Sequence, residues 1–164
     1  MAAAQHFFLS EIRHHPVFHY EGHRIGVLAD VVVQQQREDC GQVLGLVVTV
    51  GTIRVFVSAT GLTALTPERV ELAYTTVDLE EYTRSSNDML LVEDILDRSL
   101  VDHVNGGSVI IYDVQLTQTL DGWACTGFDV RHPVWPRLSR RNRSIRDWRD
   151  FEPLTLAGDD LAGT

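Results

Sequence analysis

The chain has 164 residues, with 23 acidic against 14 basic side chains and a net charge of -9, which excludes indiscriminate binding to nucleic acid or anionic lipid over the whole surface. All 14 basic residues are arginine, so lysine Schiff-base chemistry and a phosphate loop of the GxxxxGK[ST] type are excluded as well. No apolar run reaches the 18 residues of a membrane-spanning helix.

Along the chain, Met1 to His6 lacks the charged start and apolar stretch of a signal peptide. Leu9 to Arg13 predicts one helical turn capped by Ser10. Ile25 to Val33 and Val43 to Val50 read as Val- and Leu-rich strands punctuated by Gly26, Gly41, Gly45 and Gly51. Thr52 to Val57 alternates with Ile53, Val55 and Val57 on one face, and Arg69 to Tyr74 alternates after the Thr66-Pro67 turn. The polar stretch around 77–87 reads as a connection, followed by a second helical turn over Asp88 to Leu96, capped by Ser86, Asn87 or Asp88. Residues 155–164 read as a linker or tail. Two cysteines, Cys40 and Cys125, lack CxxC partners, which suits a reducing compartment and gives no support to zinc.

The chain nearly repeats itself about 83 residues along. Leu9-Ser10-Glu11-Ile12 is echoed by Val92-Glu93-Asp94-Ile95, and Pro16-Val17-Phe18 by Leu100-Val101-Asp102. Turns follow at Glu21-Gly22 and Asn105-Gly106, then Ile25 to Val33 and Val109 to Leu116. Gly45-Leu46-Val47-Val48 matches Gly127-Phe128-Asp129-Val130 at a spacing one residue shorter. Ser58 to Leu65 matches Asp147 to Leu154 after about seven inserted residues. The fold class expected is all-β, two tandem small β-barrels with short helical turns. Their boundaries are 7–76 and 88–154, with 77–87 as linker.

Pro16 to Phe18, the Glu21-Gly22 turn and Ile25-Gly26-Val27-Leu28-Ala29-Asp30-Val31 resemble the PRC-barrel family, which occurs in the photosynthetic reaction-centre H subunit and in RimM-type ribosome-maturation factors. Within the second copy, Glu93 to Asp102, Tyr112 to Leu116 and Asp147 to Leu154 are similar to the PRC modules ahead of MgtE-type magnesium transporter domains. The resemblance implies a non-enzymatic interaction or regulatory module with no catalytic residues. It also implies a cytoplasmic place at the inner face of the membrane, within a larger membrane protein. The helical magnesium-sensing domain, CBS pair and membrane helices of that context are absent here. The alternative is a free-standing adaptor that binds protein or RNA in the RimM manner.

Four groups of residues carry the remaining chemistry. His6, His14, His15, His19 and His23 crowd into the first 23 residues; a zinc reading needs convergent geometry, so packed or solvated rings are the simpler expectation. Asp30 and Asp113 hold equivalent places; a general acid–base pair would need one shared cleft, while an aspartate bonding backbone near a bend needs none, and each barrel is expected to keep its own. Asp88, Glu93, Asp94, Asp97 and Asp102 form an acidic stretch able to gather magnesium weakly, no other cofactor being implied. Finally, Trp135, Arg137, Arg140, Arg141, Arg143, Arg146, Trp148 and Arg149 form a candidate interaction patch, since arginine stacks on tryptophan and pairs with phosphate or carboxylate. Residues 131–149 hold seven arginines and one acid, a local +6 that leaves -15 elsewhere. Docking against acidic surface of this protein or a second subunit comes first, a membrane surface second and nucleic acid last.

Overall fold

A computed structural model describes residues 5–34, 41–73, 80–120, 122–131, 145–147 and 150–152. Strands β1 (His6–Phe8), β2 (Pro16–His19), β3 (Arg24–Gln34), β4 (Gly41–Val50), β5 (Ile53–Ser58), β6 (Leu62–Leu65), β7 (Val70–Leu72) and β8 (Glu80–Glu81) come first. They are followed by β9 (Asp88–Leu90), β10 (Ser99–Asp102), β11 (Ser108–Thr119), β12 (Gly122–Arg131), β13 (Ile145–Asp147) and β14 (Phe151–Glu152). Helical elements among the described residues include α1 (Leu9–Ile12), a 3₁₀ turn at Ala59–Gly61 and a π turn at Leu91–Ile95. The protein is all-β, a curled sheet ordered β14-β10-β11-β12-β4-β3-β2-β7-β6 with β1, β5, β8, β9 and β13 paired off that path.

The sequence repeat is visible bond by bond. β3 pairs with β2 and β4, and β11 with β10 and β12, all antiparallel. The two glycines of the matched Gly-x-x-Val segments face equivalent partners: Gly45 lies opposite Ser58, and Gly127 opposite Asp147. That agrees with the match of Ser58 with Asp147, and it places the inserted residues between β12 and β13. One match shifts. Val17 pairs with Gly26 and Leu100 with Val109, so Leu100 answers Val17 rather than Pro16. The turn after β10 is a residue longer than the one after β2, which moved the apparent alignment.

Where the halves meet, β12 pairs antiparallel with β4 through Ala124 opposite Gln42 and Cys125 opposite Gly41. Gln42 and Ala124 are themselves equivalent at the spacing that relates Gly45 to Gly127, so this pair marks a pseudo-two-fold axis. The leading segment of each half crosses that axis. β1 pairs with β11 of the second half, and β9 with β3 of the first. One apolar core therefore runs through both halves, from Phe7, Leu9 and Ile12 through Val31, Leu46 and Val57 to Ile111, Leu116 and Phe128. Small domains bury little surface alone; crossing segments let each half complete the other's core.

The connection between halves is itself structured after residue 79. β8 pairs with β5, and the Tyr82 ring packs on Phe56 with centroids 6.0 Å apart. Tyr82 joins a satellite cluster of Val32, Val47 and Leu90, and its hydroxyl donates to Asp88. Arg84 then pairs with Asp94 at 2.6 Å. Burial and the Asp88 hydrogen bond push the Tyr82 phenol above its ordinary range.

Candidate functional site

Both repeated aspartates sit at bulges in otherwise apolar strands. The register slips between Leu28 and Asp30 in β3 and between Ile111 and Asp113 in β11. A bulge re-aims a side chain, and here it turns each carboxylate inward: Asp30 is 1% and Asp113 3% exposed. Each then captures the start of the short helical turn belonging to the opposite half. Asp30 Oδ1 accepts from Val92 N–H at 2.7 Å and from its neighbour Val31, while Oδ2 accepts from Glu93 N–H at 3.1 Å. Asp113 accepts from Ser10 N–H at 3.1 Å, from the Ser10 hydroxyl and from Val114 N–H. The first N–H groups of a helical turn lack partners within it, and a buried carboxylate is a strong acceptor for them.

Each copy thus has its own aspartate bonding backbone at a bend, as expected, but the segment that each one holds comes from the opposite half. The caps are corrected. Ser10 lies inside α1 and donates to Asp113, while the Glu11 carboxylate accepts from Phe8 N–H at 2.8 Å. In the second half Asp94 accepts from Leu90 N–H at 2.9 Å, in place of the expected Ser86, Asn87 or Asp88. The second segment carries one residue more, absorbed by closing Leu96 N–H onto Leu91 instead of the shorter Arg13-to-Leu9 bond. His14 and Asp97, equivalent residues, both take positive φ where the turn ends, at 68° and 64°. The helical turn ends at Ile95, two residues before Asp97 of the acidic stretch.

His19 and Asp102 also stand at one place in the two copies. His19 Nδ1 accepts from Glu21 N–H at 3.2 Å, and Asp102 Oδ1 accepts from Val104 N–H at 3.0 Å. An imidazole and a carboxylate thus fold the same turn. Asp102 has an extra partner. Arg146, on β13, grips it with two bonds of 2.9 and 3.1 Å, reaches Asp150 at 3.3 Å and lies over the Phe151 ring at 5.2 Å. The guanidinium, aided by the turn's N–H groups, holds the Asp102 carboxyl well below the usual range. Burial pushes Asp30 the other way, above its ordinary 3.8, against the pull of its three N–H donors.

Of the candidate patch, Arg146 lies among the described residues and docks on its own half; Trp135, Arg137, Arg140, Arg141, Arg143, Trp148 and Arg149 lie outside them. The histidines are dispersed. His15 Nε2 bonds the Pro67 carbonyl, His19 folds its turn, and His23 stacks 6.3 Å from His19. Among the described residues no three His, Cys, Asp or Glu side chains converge as a metal set. In the acidic stretch, Asp88 serves Tyr82 and Ser85, Asp94 serves Arg84 and Leu90, and Asp102 serves Arg146. Cys125 is buried in the core, and Cys40 lies outside the described residues. No helix among the described residues is long and apolar enough to cross a membrane. No family model and no curated protein matches the chain.

Proposed function

We propose that this chain is a non-enzymatic interaction and regulatory module, the N-terminal region of a magnesium transporter of the MgtE type, whose partners are the downstream transporter domains. The observation that carries the reading is how the buried polar side chains are used. Of the five buried polar side chains among the described residues, His19 and Asp102 fold turns and Asp30 and Asp113 clasp the crossed segments; this reading takes the outward loops and edges as the contact surface. Tyr20, Ile53, Val101 and Val104 are large apolar side chains on that surface, each about half exposed or more. The transporter context rests on the residues of the second repeat, and the two tandem PRC-type barrels are part of the same reading.

An antibody to this region, applied to fractionated source cells, tests it. A band larger than 18.4 kDa in the membrane fraction, with magnesium-dependent transport altered when the region is deleted, is the expected result. A band of that mass in the supernatant contradicts it. A free-standing adaptor is the second reading, favoured by the arginines of residues 137–149. It predicts recovery of protein or RNA in a pull-down that Arg140, Arg141 and Arg143 changed together to alanine would lose.

A further inference from the structure

We infer that the two halves are binding partners in their own right, so that the chain cut between Ala73 and Glu80 stays together as a one-to-one complex. Each half offers the other the same two things: a crossing segment, and a strand with a buried aspartate to receive it. The first half gives β1 and α1 to β11 and Asp113; the second gives β9 and the π turn to β3 and Asp30. Each docking combines strand addition with capture of helix-start N–H groups. A third contact, β4 on β12, continues the sheet across the axis. The crossing segments bury Phe7, Leu9, Ile12, Leu90, Leu91 and Ile95 to 5% exposure or less. Parting the halves would strip all six and take from each carboxylate the donors of the opposite half, Val92 and Glu93 from Asp30 and Ser10 from Asp113.

In the intact chain, the covalent connection keeps the halves at a high effective concentration, which hides their affinity. Cutting it makes the affinity measurable. A protease site placed in 74–79 and cleaved in the folded protein should yield both fragments in one particle of the original mass, with a melting temperature that now rises with protein concentration. Asp30→Ala and Asp113→Ala should each weaken that complex by about tenfold or more, through unsatisfied buried N–H groups. Fragments eluting as separate folded species, or a complex indifferent to both substitutions, would overturn the inference.

The uncut parent offers an independent readout. All three tryptophans, Trp123, Trp135 and Trp148, lie in the second half. Asp30→Ala, a first-half change, should lower the urea midpoint reported by their fluorescence by as much as that reported by backbone circular dichroism. A fluorescence midpoint that stays at the parent value would overturn the inference without any cut.

Discussion

Asp30 and Asp102 are both buried carboxylates with backbone donors, yet their surroundings push their titration in opposite directions. A guanidinium faces Asp102, so its charged form is favoured in the fold and its contribution is lost as pH falls below the ordinary range. For Asp30, desolvation outweighs three N–H donors, so the folded state holds the proton more tightly than the unfolded state does. Its contribution therefore declines as pH rises above 3.8. Urea unfolding as a function of pH checks both signs. Replacing Arg146 with Gln should flatten the acid loss of stability seen in the parent. Asp30→Asn should lie furthest below the parent near pH 3.8 and approach it as pH rises. An acid limb that is unchanged in the first variant, or a gap that widens with pH in the second, would contradict these assignments.

At the scale of elements, close strand approach explains why two glycines recur at one place in the repeat. A Cβ at Gly45 would collide with the Val57 carbonyl oxygen and the Phe56 ring; one at Gly127 would meet the Arg146 carbonyl and Ile145 at 3.0 Å. Gly45→Ala should cost about 2–3 kcal/mol and Gly127→Ala about 1 kcal/mol in chemical denaturation, the ordinary range for overpacking. Equal costs would mean that the two sites are not graded as their clearances are. The strands β3, β4, β5 and β11 were legible because their Val, Ile and Leu content and glycine punctuation are local properties. Caps were not, since Asp30 lies 62 residues from Val92 and Asp113 lies 103 from Ser10. One signal did stand in the repeat: Glu11 and Asp94 occupy matched places, and both cap. The helix expected over Asp88 to Leu96 failed at its start because Asp88–Leu90 finds a strand partner in β3, and pairing outweighs weak local helix preference.

For the molecule as a whole, the repeat pointed to corresponding strands and turns but not to the crossing of the leading segments, because a sequence match records which residues correspond and not which half they touch. That crossing makes cooperativity the central property. A single core, two cross-clasps and a sheet continuous through Gln42 and Ala124 leave, among the described residues, no contact-poor seam along which one half could open alone. Under the proposed reading as a regulatory module, that coupling would let a partner bound to one half stabilise both. Native-state hydrogen exchange followed by NMR tests this most directly. Amides of Leu46 in the first half and Phe128 in the second, both fully buried, should exchange with one common free energy of opening, and Asp30→Ala should lower it equally at both. Two distinct opening energies, with only one of them moved by the substitution, would contradict the account.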